Sequence, residues 1–390
     1  MDIIERYLPY WPVLASALCF FVLALSVFIR GERGMERSPK PLSWVPAYRS
    51  AESLGDYTPK GGLLPLLAVA GFSLLIFVFY RLISGGLDAL TPDVRRISAM
   101  LLSCIGAVSA YLILRLLFGS VLVSLCGSLL FSASYLGSHT ALCQLAAALL
   151  LLLLWLRQKE KRWFAELLYG AVLLLLVLTA AVTPECVWLL PAPIVLHWYK
   201  NIRWLRAGKQ GVGRFLGDLG LSLLWWALAA LAFVLLRTPL LRGYRAFFEA
   251  LTPSGFLENG QIVWKDMLSR LVTPLLRDRL LYPLMDAPLA ALGLFGAFSA
   301  LRMYKRRRDV RGSFAYTTLV CLTAVWAVSA YYAMTLGFLL TAGCLLYNCV
   351  RGKRRVLAVT FTALGVLYEI ALYCTAWVLP LNEHILQRLS

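Results

Sequence analysis

The chain has 390 residues, of which 60% are hydrophobic and 15% charged, with a mean hydropathy of +0.74. A soluble domain of this length has no interior large enough for so much apolar side chain, which excludes a soluble enzyme. Lys and Arg outnumber Asp and Glu 38 to 20, a net charge of +18, but the cations sit in short connections between apolar runs, as membrane topology requires and a nucleic-acid partner does not.

Taken in chain order, apolar runs occupy 9–29, 63–83, 97–118, 119–136, 138–156, 165–182, 186–199, 216–236, 287–303, 313–330, 332–350 and 356–378. None alternates with a period of two, and in hydrocarbon a helix satisfies every backbone polar group internally. The expected fold class is therefore all-α: a polytopic transmembrane helical bundle of about twelve helices, forming a single integral membrane domain over 1–390. The runs 119–136 and 186–199 are short for a hydrocarbon core of about 30 Å.

The connections 30–62, 157–163, 199–214, 302–311 and 351–355 hold 25 of the 38 Lys and Arg and alternate onto one side. The positive-inside rule makes that side cytoplasmic, so both termini and the loops 84–96 and 237–286 are expected outside. Segment 30–62, rich in charge, Pro and Gly, reads as a loop against the inner face. The outer loop 237–286 is aromatic and basic, and its AFFEAL and WKDMLSRL stretches have the spacing of short interfacial helices.

All nine cysteines lie in or beside apolar runs without CxxC spacing, so they read as packing residues rather than disulfides or a zinc site. Asp2 and Glu5 precede the first run, and no cleavable signal peptide is expected. Phosphate-loop, dinucleotide, zinc-protease and nucleophile-elbow motifs are lacking.

From residue 95 the sequence reads RRISAMLLSCIGAVSAYLILRLLFGSVLVSLCGSLLFSASYLGSHTALCQLAAALLLLLLWL. A helix opening on Arg96 and Ser98 and closing on Arg115, Phe118 and Gly119, then a small-residue helix reaching Ser132, resembles the core of GT-C membrane glycosyltransferases, in particular bacterial members of the protein O-mannosyltransferase family. The segment 169–199 resembles that family's next helix pair, and YYAMTLGFLLTAGCLLY and LYEIALYCTAWVLPLNEHILQRL resemble its last two helices. The resemblance implies a GT-C-like fold, a polyprenyl-phosphate-linked sugar as donor at the outer membrane face, membrane lipids as surroundings, and a bacterial plasma membrane as location. It also implies an acidic residue acting as catalytic base in a long first outer loop, which here is only ISGGLDALTPDVRR. Departures from the family pattern are Ser138, His139 and Thr140 where an Asp is common, and Pro184 and Glu185 where a Lys is common.

Glycosyl transfer needs a carboxylate to take the acceptor's proton and cations to hold the departing phosphate. Asp93 and Asp88 are the candidate bases, with Arg95 and Arg96 beside them; the competing reading makes Asp93 a helix cap behind Pro92 and the arginines interface anchors. His139 and Glu185 are expected on the same outer side, as substrate contacts or as an interfacial histidine and turn carboxylate, and no metal is expected. Arg242, Arg245 and Lys265 could hold a phosphate or simply meet lipid heads. Glu369 falls inside the last run, where a carboxyl is costly; it either hydrogen-bonds Tyr368 or Tyr373 or lines a cavity. The other readings of the chain are a non-catalytic GT-C-fold relative that binds lipid or a partner subunit, and a small-molecule transporter.

Overall fold

A computed structural model describes residues 11–32, 63–85, 93–134, 140–157, 163–182, 186, 189–206, 208, 211–237, 257–258, 261–262, 286–307, 309–328 and 333–376. Among them are twelve helices: α1 (Trp11–Glu32), α2 (Leu63–Gly85), α3 (Val94–Phe118), α4 (Val121–Ala133), α5 (Thr140–Arg157), α6 (Trp163–Val182), α7 (Pro191–Arg206), α8 (Val212–Arg237), α9 (Ala287–Arg307), α10 (Val310–Val328), α11 (Ala333–Arg351) and α12 (Arg355–Ala376). Eight of these are long and apolar enough to cross a membrane: α1, α2, α3, α6, α8, α9, α11 and α12. The protein is a multi-pass membrane helical bundle.

Between Arg237 and Asp286 the described residues are a short antiparallel ladder, Leu257 opposite Ile262 and Glu258 opposite Gln261. Asn259-Gly260 lies between the two halves, the dipeptide that suits a tight hairpin. The AFFEAL and WKDMLSRL stretches lie outside the described residues.

α11 is the centre of the bundle. Its membrane window is 78% buried, against 17% for α8, so α11 is walled by other helices while α8 presents Leu223, Leu224, Leu228 and Leu231 outward. α9 and α10 flank α11 on one side and α1, α3, α4 and α12 meet it on others. Small residues permit this closeness where lipid gives helices no hydrophobic reason to associate. A β-carbon on Gly337 would lie 2.7 Å from Leu319 of α10, and one on Gly343 would lie 2.6 Å from the Phe118 ring of α3.

The junction between α3 and α4 shows how the sequence turns the chain. Gly119 closes α3 in the left-handed conformation, φ 70°, with its N–H donating to the Arg115 carbonyl. The Arg115 guanidinium donates to the Gly119 carbonyl, and Ser120 caps α4 by accepting from the Val123 N–H at 3.4 Å. The Gly-Ser step thus ends one helix and starts the next within two residues. Along α4, Ser124 and Ser132 donate to the carbonyls of Ser120 and Ser128, both at 2.8 Å, so small hydroxyls are buried without unmet hydrogen bonds.

Several helix bounds differ from the sequence reading. The seventh helix is Pro191–Arg206 instead of 186–199, and it carries much of what was read as the basic loop 199–214. Likewise α9 runs on to Arg307 and α10 begins at Val310, so most of the expected loop 302–311 is helical. In both places hydropathy falls before the helix does.

Contacts gather the basic ends. Arg311 stacks on Tyr347 at 4.9 Å, Phe118 meets the same ring at 5.5 Å, and Arg302 reaches Glu32 at 3.6 Å. Lys200 donates to the Trp155 carbonyl at 2.9 Å, which brings the C-terminal halves of α5 and α7 together.

Candidate functional site

The opposite end of the bundle, which the positive-inside rule makes the outer one, holds a buried polar cluster. α4 has 13 residues. At a rise of 1.5 Å per residue that is about 20 Å, shorter than a hydrocarbon core of about 30 Å. Residues in the last turns of α2 and α12 meet at the end of this short helix.

Tyr80 of α2 donates its hydroxyl to the Ala133 carbonyl at 2.6 Å, satisfying one of the acceptors that a helix C-terminus leaves open. Its ring stacks on Tyr373 of α12, centroids 3.9 Å apart and planes 13° apart, and the Tyr373 hydroxyl returns to the Tyr80 carbonyl at 3.1 Å. Tyr80 is thereby fixed at both ends.

Glu369, one turn before Tyr373, is only 3% exposed, and so is Asp286 at the start of α9. The two carboxyl groups act on each other electrostatically, and both lie within Coulombic reach of the Tyr80 phenol. Gly365 explains the approach of α9: a β-carbon there would lie 3.0 Å from Pro288 and 2.6 Å from Leu130 of α4. Small residues at the crossing thus bring the first turn of α9, with Asp286, beside α12 and the end of α4.

Of the two sequence readings of Glu369, a hydrogen bond to a neighbouring tyrosine is not what the structure holds. Tyr368 pairs with Ser16 of α1 at 3.3 Å and Tyr373 donates to Tyr80. Glu369 instead lies within electrostatic reach of a second buried carboxyl, Asp286. Asp286 and Tyr80 were not singled out in the sequence. The only local hint was an acid directly before the apolar run at 287 and a tyrosine in the last turns of another.

The other candidates separate from this cluster. Asp93 stands at the N-cap position of α3 with extended backbone, φ −128° and ψ 146°, but its side chain makes no capping bond and is exposed. The capping expectation is corrected to that extent: the Asp93 carbonyl accepts from the Ile97 N–H at 2.9 Å while the carboxyl caps nothing. Arg95 is exposed and Arg96 half-buried. Asp88, His139, Glu185, Arg242, Arg245 and Lys265 lie outside the described residues. Among the described residues no group of three or more His, Cys, Asp or Glu could hold a metal ion.

Chemically, two buried carboxyls within electrostatic reach of each other and of a tyrosine can take a proton from a hydroxyl and pass it on, and can bind a polyol or a cation. No family model, curated protein or solved structure matches the chain.

Proposed function

We propose that this membrane protein is a GT-C-type glycosyltransferase, resident in a bacterial plasma membrane, that takes a polyprenyl-phosphate-linked sugar from the outer leaflet. The observation that supports this best is the Glu369 and Asp286 carboxyl pair, set beneath the outer boundary where short α4 ends. In this reading an acceptor hydroxyl oxygen attacks the anomeric carbon and the bond from that carbon to the phosphate oxygen breaks. The polyprenyl phosphate leaves with the electron pair, and one of the two carboxylates takes the hydroxyl proton. Arg95 and Arg96, at the outer end of α3, and Arg81, in the last turns of α2, are described cations on that side suited to a phosphate.

The test is incubation of the purified full-length protein with a panel of radiolabelled polyprenyl-phosphate sugars and cell-envelope acceptors. Saturable transfer that is lost in Glu369→Gln supports the reading. Absence of transfer from every donor, with the protein monodisperse, removes it.

The same carboxyl pair favours a second reading, proton-coupled transport of a small molecule, because ionisable groups buried between spanning helices commonly mark such pathways. Substrate-driven proton flux in proteoliposomes, without sugar transfer, would select it.

A further inference from the structure

We propose that the corner formed by the end of α1 and the turn between α11 and α12 is a docking site for the head group of an anionic phospholipid in the leaflet at the basic end. The site is distinct from the outer carboxyl cluster, and its test does not depend on sugar transfer.

The turn itself is rigidly made. The Gly352 N–H donates to the Asn348 carbonyl at 2.9 Å, Lys353 to Val350 at 3.2 Å and Arg354 to Cys349 at 2.9 Å. Lys353 adopts φ 61°, a left-handed conformation that a residue with a β-carbon takes at a cost. A turn held this way projects Arg351, Lys353, Arg354 and Arg355 from five consecutive positions, with no acid among them.

Arg30 joins these four. Its neighbour Gly31 packs directly on α11, since a β-carbon there would lie 2.7 Å from the Cys349 sulfur, and one on Gly352 would lie 3.8 Å from the Gly31 carbonyl oxygen. The acid nearest to this corner in the chain, Glu32, is already committed. Its Oε1 accepts from Ser299 at 2.6 Å and from Asn348 at 2.9 Å, and its Oε2 faces Arg302 at 3.6 Å. Among the described residues, no carboxylate forms an ion pair with Arg30, Arg351, Lys353, Arg354 or Arg355.

The lipid identity follows from what borders the cations. On α1, Leu18, Val22, Leu25 and Ile29 form an exposed stripe at spacings of three and four that ends beside Arg30. On α12, Val356 is 78% exposed directly after Arg355, and Val359 continues the line. The two helices are neighbours, with Phe20 edge-on to Phe361 at 5.8 Å and to Tyr368 at 4.6 Å. An apolar surface running down to guanidinium groups that have no ion pair among the described residues fits a molecule with acyl chains and a phosphate, and Arg is suited to bidentate phosphate contact. The positive-inside rule accounts for cations in this connection. It does not account for their convergence with Arg30 at the foot of two lipid-facing stripes.

The experiment is lipid binding by full-length protein in neutral detergent, read by native mass spectrometry with phosphatidylglycerol against phosphatidylcholine. Wild type is expected to prefer phosphatidylglycerol by about tenfold or more, a difference of about 1.4 kcal/mol. R354Q/R355Q should lose the preference, while R206Q/R214Q, which removes the same charge from other helices of the basic end, should keep it. If R354Q/R355Q does not purify as a monodisperse species, R351Q/K353Q carries the same test. Equal binding of the two lipids by wild type, equal loss in both kinds of double variant, or displacement of bound lipid by millimolar inorganic phosphate would overturn the proposal.

Discussion

Gly296 of α9 lies directly against the main chain of Thr341 in α11: a β-carbon built on Gly296 would overlap the Thr341 carbonyl group and come within 2.8 Å of the next amide nitrogen. The Thr341 hydroxyl donates to the Gly293 carbonyl at 2.8 Å, one turn away on α9, so the close approach is closed by a hydrogen bond between helices. Since the obstacle to a side chain at 296 is backbone, no rotamer change relieves it. Gly296→Ala is expected to destabilise the bundle by about 1–3 kcal/mol, the usual range for overpacking. Thermal unfolding of the detergent-purified variant checks this, with Gly71→Ala as comparison, because a β-carbon at Gly71 meets nothing within 4 Å.

A second expectation concerns α7, whose polarity is reversed. His197, Lys200 and Asn201 are buried while Val195, Trp198 and Ile202 face outward. The Lys200 ammonium sits 4.6 Å from the Trp155 ring centroid and donates to the Trp155 carbonyl, and His197 stacks on the same ring at 5.7 Å. Lys200→Met keeps most of the side-chain volume and removes the charged donor. It is expected to cost about 1–3 kcal/mol and to alter the near-ultraviolet circular dichroism of the tryptophans. An unchanged melting temperature and spectrum would show that Lys200 contributes packing alone.

The same helix shows why the sequence yields some elements and not others. Where a long apolar run ends at a turn residue, as at Phe118 before Gly119, the bound is legible, because the same property that suits lipid also marks the helix. In α7 the helix is held by inward polar contacts, so mean hydropathy placed its end at 199 and assigned Lys200 to Arg206 to a loop. For the site, Glu369 was legible as a carboxyl inside an apolar run. Its neighbour Asp286 was not, because that proximity arises from packing of α9 on α12 through Gly365 and Pro288, a relation that no local pattern encodes. Helix-capping residues suggested a cap at Asp93 correctly by position, but rotamer choice left the carboxyl in solvent.

That exposure gives a third prediction. Asp93→Ala should leave the melting temperature unchanged, since its side chain caps nothing and buries little. Asp93→Asn should also retain sugar transfer if the proton is taken at the buried pair. Loss of transfer in Asp93→Asn, with the fold intact, would return the base to the 84–96 loop.

The buried pair provides the most demanding test. Glu369→Gln and Asp286→Asn each keep shape and hydrogen-bonding capacity while removing a carboxyl, so neither should prevent folding. Because each buried carboxyl lies in the other's electrostatic field, their effects on stability should not add. A double-mutant cycle is expected to give an interaction energy of about 0.5–3 kcal/mol, larger than the few tenths seen for distant sites. Tyr80→Phe serves as an internal comparison: it keeps the stacking on Tyr373 but leaves the Ala133 carbonyl without its donor. If the cluster is structural, Tyr80→Phe should cost more stability than either carboxyl variant, and transfer or proton flux should follow stability. If it is the working site, Glu369→Gln should abolish activity at full stability. Additive stability effects for Glu369→Gln and Asp286→Asn would mean that the two groups do not interact, and would remove the pair from any mechanism.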